Sequence, residues 1–201
     1  MTDSRSSDQA SGTSRGTTRQ RLVDAMIKVV GSEGLQSASV RTIAKEAGCN
    51  EAVLYQHFPG KIAMQQAIYS EIILEMAEEK QQISRQATDI PRLVEDWVAA
   101  TFRFYDEKPF AFAYVYLSYP PVTPEDPSVP GMNTRIFESA IRRLDPPTGQ
   151  RLIFDEGTFA SFRAALLGVP RSIHSGLLSG NAMDYHGVAT KALSSMILSG
   201  K

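Results

Sequence analysis

The polar side chains best suited to binding chemistry lie together in residues 39–61, SVRTIAKEAGCNEAVLYQHFPGK. The arginine, lysine, tyrosine and histidine side chains of this stretch can donate hydrogen bonds to phosphate oxygens and to base edges. Arg41 can make a bidentate contact to guanine, which is worth about 1–3 kcal/mol of discrimination. Lys61 opens a predicted helix, where its ammonium group and the free backbone N–H groups can together hold one phosphate. The stretch therefore predicts recognition of nucleic acid.

The histidines and the cysteine offer no arrangement for catalysis. His57, His174 and His186 are far apart in the sequence, and we find no metal-ligand spacing, nucleophile elbow or phosphate-binding loop. The sequence therefore predicts no enzyme activity, no metal and no cofactor. The single cysteine, Cys49, cannot form an internal disulfide and fits a reducing cytoplasm. We interpret it as a small buried apolar residue.

Two short helices joined by a tight turn must position the binding side chains. Helical spacing of apolar residues predicts the first helix, with the stripe Val40, Ile43, Ala44 and Ala47. Gly48 supplies a left-handed turn position, and Asn50 can cap a second helix over about 51–57. A Pro-Gly pair at 59–60 ends that helix. This is the helix-turn-helix pattern, whose second helix enters the major groove of DNA.

Three strings in register, TIAKEAG, LYQHF and the lysine that opens the next helix, carry a resemblance to a known family. With them the segment resembles the DNA-binding part of the TetR (tetracycline-repressor) family of bacterial transcription regulators. The resemblance implies that residues 51–53 and Arg41 read bases, and that Tyr55, His57 and Lys61 contact the backbone or the groove edge. The complete set of predicted DNA-contacting residues is Arg41, Thr42, Asn50, Glu51, Ala52, Val53, Tyr55, Gln56, His57 and Lys61.

Other interpretations of single residues stay open at this point. Arg41 could be ordinary solvated helix surface, Tyr55 could close the core of the small domain, and His57 could be a structural histidine. Glu51 departs from the family pattern: phosphate repels it, yet it favours the helix dipole and can accept a hydrogen bond from cytosine N4. Val53 replaces a hydroxyl residue common in the family, which turns a hydrogen bond into an apolar contact. Both departures affect the operator sequence.

The bulk composition is that of a globular protein with a real core. The 201 residues are 42% hydrophobic, and no apolar run approaches the roughly 18–20 residues of a membrane span. Residues 1–61 carry eight Lys/Arg against six Asp/Glu, while the remainder carries 13 against 16, so a mild basic excess lies in the predicted DNA-binding part. Residues 1–16 are rich in Ser, Gly and Asp, which predicts a disordered arm and no signal peptide.

The periodicity predicts an all-α fold of about nine helices, and no alternating run argues for a sheet. We divide the chain into the arm (1–16), a helix-turn-helix DNA-binding domain (17–62) and a ligand-binding and dimerisation domain (63–201). The predicted helices span about 18–32, 40–47, 51–57, 61–86, 90–106, 109 to the prolines at 120–121, 133–143, a long helix from 148 or 149 that Pro170 kinks, and 182–198. Within 61–86, we interpret the string EEKQQ at 78–82 as solvated surface. Residues 120–130 hold five of the eleven prolines and predict an exposed loop.

Nine of the 17 aromatic residues lie between Trp97 and Tyr119. The run FAFAYVYLSY at 110–119 alternates like a strand, but its proline start, its helical neighbours and the resemblance favour a helix. The family resemblance implies an inducer pocket in this part of the chain, and an apolar cavity suits a small apolar or aromatic ligand. The predicted pocket residues are Trp97, Phe102, Arg103, Tyr105, Phe110, Tyr114, Phe137, Phe162 and His174, with Arg163 as a further polar anchor. The alternative is that these aromatics only fill the core.

The resemblance also implies a homodimer formed by the last two long helices. Small side chains there would permit close packing; they are Ala160, Ala164, Ala189, Ala192 and Ser195. We therefore expect a ligand-responsive, DNA-binding transcriptional regulator that acts as a repressor on a near-palindromic operator. The alternatives are a DNA-binding regulator whose body recruits a protein partner and binds no small molecule, an activator instead of a repressor, and, from another class, an enzyme.

Overall fold

A computed structural model describes residues 17–118 and 126–200. Within these ranges the chain forms ten α-helices, two short 3-10 turns and one two-stranded ladder. The helices are α1 (Thr18–Glu33), α2 (Val40–Glu46), α3 (Glu51–His57), α4 (Lys61–Gln86), α5 (Ile90–Glu107), α6 (Pro109–Tyr116), α7 (Met132–Arg143), α8 (Glu156–Leu166), α9 (Gly168–His174) and α10 (His186–Ile197). The 3-10 turns are Leu35–Ser37 and Ala182–Tyr185, and the strands are β1 (Gln150–Leu152) and β2 (Leu198–Gly200). The predicted all-α fold is confirmed.

Local sequence signals set the helix starts. Five helices begin after a residue whose side chain accepts a hydrogen bond, at 2.8–3.2 Å, from the backbone N–H three positions on; these residues are Thr17, Ser39, Asn50, Asp89 and Asp155. Such caps satisfy N–H groups that have no partner inside the helix. The Gln20 side chain donates to Asp24 instead of closing a capping box with Thr17.

The region before α8 differs from the prediction. No helix begins at 148 or 149; instead β1 pairs antiparallel with β2, with Gln150 opposite Gly200. The helix starts only at Glu156, because the carboxylate of Asp155 accepts from Thr158 N and fixes the first turn there. The predicted break near Pro170 is present at Leu167, between α8 and α9. Proline has no N–H to donate to the carbonyl four residues earlier, so the helix bends there; counted as one bent helix, α8 and α9 bring the total to nine.

Helices α1–α3 form a small unit, called the head below, and α4–α10 form the body. The head closes on buried apolar side chains of each helix; these are Leu22, Met26, Ile43, Leu54 and Phe58. Helix α4 starts at the edge of the head and continues through the body for 26 residues. A second connection joins α1 to α6, where a Cβ on Gly31 would lie 2.7 Å from the carbonyl oxygen of Phe110. Head and body are therefore joined both by the chain and by direct packing.

Some predictions lie outside the described residues. The disorder predicted for residues 1–16 and the loop predicted over residues 119–125 belong to that group; the described part of the loop, 126–130, forms turns. Helix α6 ends at Tyr116, before the predicted end at 120–121. Cys49 is partly buried and packs against the core. In the described part of the chain no helix is both long enough and apolar enough to cross a membrane.

Candidate DNA-binding surface and body cavity

Helix α3 is anchored by one side chain and presents the others outward. Leu54 is completely buried, whereas Glu51, Ala52, Gln56 and His57 are exposed, as is Tyr55. Seven residues make two turns, so a single inward anchor leaves the rest of the helix free for contact. The exposed fraction of Tyr55 is 56%, which rules out the alternative that it closes the core of the head.

The start of α3 is fixed by its own sequence. The Asn50 side chain accepts from Val53 N at 3.1 Å, so Asn50 holds the helix end as well as lying on its exposed rim. Val53 is partly buried against the core. Gly48 adopts φ 68°, the left-handed conformation that the turn between α2 and α3 requires. The predicted turn position and cap are therefore confirmed.

The flanking residues predicted to bind DNA surround this helix. Arg41 on α2 is exposed, and Lys61 is the first residue of α4 and half-buried. The Thr42 hydroxyl lies 2.7 Å from that of Ser39, so Thr42 also takes part in capping α2. Seven of the ten predicted residues are exposed, and Thr42, Val53 and Lys61 are partly buried. The set mixes cationic and neutral donors with one acid, Glu51.

The body encloses a cavity of about 300 Å³ between α4, α5, α7 and α8, with α6 closing one end. Its wall is mostly aromatic and aliphatic. The lining residues are Tyr69, Ile73, Lys80, Trp97, Thr101, Tyr116, Gly131, Met132, Asn133, Thr134, Phe137, Phe159, Ala160, Phe162, Arg163, Ala164, Leu166 and Leu167. Phe137 lies at the centre of the aromatic wall, with ring centroids 5.0 Å from Trp97 and 4.9 Å from Phe162.

Three of the nine predicted pocket residues line this cavity: Trp97, Phe137 and Phe162, together with the further anchor Arg163. The other six do not: Phe102, Arg103, Tyr105, Phe110, Tyr114 and His174. On α5, Trp97 and Thr101 share the cavity face, and the following residues Phe102 and Arg103 are rotated away from it by the helix period. Phe102 is fully buried in the core, and Arg103 forms a surface ion pair with Glu79 at 2.6 Å.

The remaining four corrections have equally local causes. Tyr105 packs edge-on against Phe112 at 5.3 Å, beyond the end of the cavity. Tyr114 is buried on another face of α6 and donates its hydroxyl to the Gln65 carbonyl at 3.1 Å. Phe110 is partly exposed where α6 meets α1. His174 is an exposed residue near the end of α9.

Six polar lining residues were missed: Tyr69, Lys80, Thr101, Tyr116, Asn133 and Thr134. The interpretation of 78–82 as solvated surface is wrong for Lys80, whose exposed fraction is only 4%. The helical spacing indicates that Lys80 lies on the buried face of α4, because it follows the buried residues Ile73 and Met76 by seven and four positions. Burial lowers the pKa of Lys80 to about 7, although the neighbouring carboxylate of Glu79 acts to raise it.

A small helical head with an outward recognition helix, joined by a long helix to a body with a cavity, defines the class of two-part helix-turn-helix regulators. Residues 22–68 match the family model of the bacterial regulatory proteins of the tetR family. This matched segment contains the helix-turn-helix, so the head and the start of α4 are similar to the DNA-binding part of that family. The matched family is one of bacterial regulators, in agreement with the prediction that the chain is not an enzyme.

Individual relatives agree with this assignment. The nicotine-responsive transcriptional repressor HdnoR of Paenarthrobacter nicotinovorans is 39% identical over 77 residues, which cover 38% of this chain and 34% of that protein. The chain thus matches about a third of the length of this curated relative. A TetR family regulator from Marinobacter aquaeolei VT8 shares the fold, with a TM-score of 0.69 at 18% identity over 90% of this chain and 95% of its own. FadR from Bacillus subtilis, solved with stearoyl-CoA, has a TM-score of 0.67 at 11% identity over 89% and 98%.

Proposed function

We propose that the chain is a homodimeric DNA-binding transcriptional repressor that a small apolar or aromatic inducer releases from a near-palindromic operator. The observation that carries the proposal is the outward face of α3, held by buried Leu54 and capped by Asn50, on a helix pair in register with the TetR family. We keep the division into a DNA-binding part (17–62) and a ligand-binding and dimerisation part (63–201). Such a protein acts on chromosomal DNA in the cytoplasm.

The proposed contacts with DNA are of two kinds, contacts to bases and contacts to the sugar-phosphate backbone. Arg41 and residues 51–53 face the bases in this proposal, while Tyr55, His57 and Lys61 hold the sugar-phosphate backbone. Lys61 contributes its charge together with the free N–H groups of the first turn of α4. Phosphate contacts fix the register and base contacts specify the sequence.

The dimer in this proposal forms through α8 and α10. These helices pack against each other and leave Ala192 exposed, and Ala160 and Ala164 are exposed as well as lining the cavity. Val188 on α10 is an apolar residue with an exposed fraction of 67%. A second copy that covers this face would place two heads on one side of the assembly. Heads about 34–36 Å apart read successive major-groove faces of a palindrome.

Two structural connections support coupling between ligand and DNA. Helix α4 begins at the head with Lys61 and lines the cavity with Tyr69, Ile73 and Lys80. Helix α6 contributes Tyr116 to the cavity and packs Phe110 on Gly31 of α1 at its other end. An inducer that shifts either helix changes the separation of the heads. Such coupling is typically worth about 1–3 kcal/mol and weakens DNA and ligand binding reciprocally.

Ligand responsiveness also has support from the comparisons. HdnoR is named as responsive to nicotine, and FadR was solved with stearoyl-CoA. The aromatic wall around Phe137 in this chain suits a ligand of the same general kind, one with a sizeable apolar part.

The decisive experiment measures binding to fragments selected from the source genome, with variants of the head compared at constant salt. Tyr55→Ala and Lys61→Ala should weaken binding while melting temperature and dimer mass stay unchanged. Arg85→Ala is the matched control, because this exposed residue lies on the same helix as Lys61 but about 36 Å further along. Equal binding by all three variants would remove Tyr55 and Lys61 from the DNA site.

A further inference from the structure

The two ends of the cavity differ in polarity, and Lys80 defines one of them. Its ammonium nitrogen lies 4.6 Å from the centre of the Trp97 ring, a cation–π distance. Among residues 17–118 and 126–200, Lys80 makes no ion pair and no side-chain hydrogen bond, since the adjacent carboxylate of Glu79 pairs with Arg103 on the outside. A buried cation without an anionic partner is costly. Among the described residues, Lys80 therefore lacks a counterion, and an anionic group of a ligand could supply one.

The other end of the cavity is polar but neutral. Asn133 is 7% exposed, and its Nδ2 donates to the Tyr116 hydroxyl at 3.1 Å. Its Oδ1 is buried and has no hydrogen-bond partner among the described residues. Burial raises the pKa of Tyr116 to about 12, although the hydrogen bond from Asn133 acts to lower it, so this phenol keeps its proton at neutral pH. This end of the cavity therefore presents one free acceptor, Asn133 Oδ1, and one hydroxyl, that of Tyr116, which can donate a hydrogen bond to a ligand.

The distance between the ends follows from the helices. Tyr69 and Lys80 are eleven residues apart on α4, which corresponds to about 16 Å along the axis. On α7, Phe137 follows Asn133 by one turn and packs against the tilted Trp97 ring, so this helix runs along the cavity from the neutral end towards the cationic end. The wall between them is mostly apolar, and the remaining polar lining residues are Thr101, Thr134 and Arg163.

We infer that the cavity takes an elongated organic acid, whose carboxylate pairs with Lys80, whose apolar body lies along Phe137, and whose far end carries a neutral hydrogen-bonding group. This inference rests on the proposed function, because it names the chemical class of the inducer. A cationic ligand is disfavoured, since Lys80 already occupies the Trp97 face and repels a second positive charge. A carboxylate instead gains a charge-assisted hydrogen bond with Lys80.

The chain contains its own reporter, because Trp97 is the single tryptophan. Ligand binding can therefore be followed by intrinsic fluorescence without a label. The probes are dodecanoate, its methyl ester and dodecylamine, with ω-hydroxydodecanoate to test the neutral end. The variants are Lys80→Met and Lys80→Gln, which remove the charge, and Asn133→Leu, which removes the free acceptor. Lys108→Met is the matched control, since Lys108 also lies over an aromatic ring, Phe104, but outside the cavity.

In the native chain the carboxylate should bind about 10- to 100-fold more tightly than the ester, and the amine least tightly. Both Lys80 variants should lose that preference, Lys108→Met should keep it, and Asn133→Leu should lose only the advantage of the hydroxylated acid. Equal affinity for acid and ester, or a preference that survives loss of the Lys80 charge, would overturn the inference and leave ligand control in place. If no probe bound in any form, both the inference and ligand control would fall, while DNA binding would be judged by its separate assay.

Discussion

Lys80→Met should stabilise the protein, and its effect should depend on pH. Burial lowers the pKa of Lys80 from 10.5 to about 7. Because the folded-state pKa lies below the unfolded value, the unfolded chain holds the extra proton between about pH 7 and 10.5. The free energy of unfolding of the native chain therefore rises with pH across this window. The penalty is fully present below pH 7 and has gone above about pH 10.5.

The size of the effect follows from the same displacement. A pKa lowered from 10.5 to about 7 corresponds to roughly 5 kcal/mol, which is an upper bound because water in the cavity can solvate the ammonium group. Methionine fills a similar volume without charge. At pH 6 the variant should be more stable than the native chain by up to roughly this amount, and the difference should shrink steadily towards pH 10.

Urea unfolding at pH 6, 8 and 9.5, followed by far-ultraviolet circular dichroism, measures the difference directly. Comparing variant with native chain at each pH cancels the titration of all other groups. Lys108→Met, at an exposed lysine, should show no such trend. A stability difference that stayed constant with pH, or a variant less stable than the native chain at pH 6, would refute the argument that Lys80 is an unpaired buried cation.

Three further changes test how the head is built and held. Gly31→Ala should separate α1 from α6, because the added Cβ would lie 2.7 Å from the Phe110 carbonyl oxygen. The expected result is a loss of about 1–3 kcal/mol in the unfolding free energy. An unchanged unfolding free energy would show that the two helices can accommodate the added methyl group. Asn50→Ala removes the acceptor for Val53 N and should cost about 1 kcal/mol by the same measurement, whereas no cost would mean that the cap is dispensable. Leu54→Ala, at a completely buried position, should cost about 2–5 kcal/mol, and retention of native stability would contradict its role as the anchor of α3.

Local signals made most helix bounds predictable. Thr17, Asn50 and Asp89 are followed by helices because each side chain satisfies a backbone N–H in its own first turn. The helix over Lys61–Gln86 contains neither proline nor glycine and was predicted with both ends correct. Such signals act within a few residues, and the sequence displays them directly.

Features that depend on distant segments were not predictable in this way. The pairing of Gln150 with Gly200 joins two three-residue strands that are far apart in sequence, too short to show an alternating pattern. Six of the nine predicted pocket residues do not line the cavity, for a related reason: composition locates an aromatic region, but the rotation of each helix decides which side chain faces the cavity. Phe102 and Thr101 are neighbours in sequence, yet only Thr101 lines it.

Lys80 was missed although a signal existed. Its charge and its polar neighbours favoured a solvated surface, while its spacing from Ile73 and Met76 placed it on the buried face. The position of Lys80 on the helix, and not its residue type, determines its burial. In folded proteins a buried charge is most often tolerated where a cavity or a partner gives the charge a role.

The measurement that tests the central proposal most directly is footprinting of the purified protein on its own genomic fragments, over a series of salt concentrations. Protection of a near-palindrome by a dimer, with affinity that falls linearly on a log–log plot against salt, is the predicted result. A monomer that protects no sequence and shows no salt-dependent affinity for double-stranded DNA would contradict it.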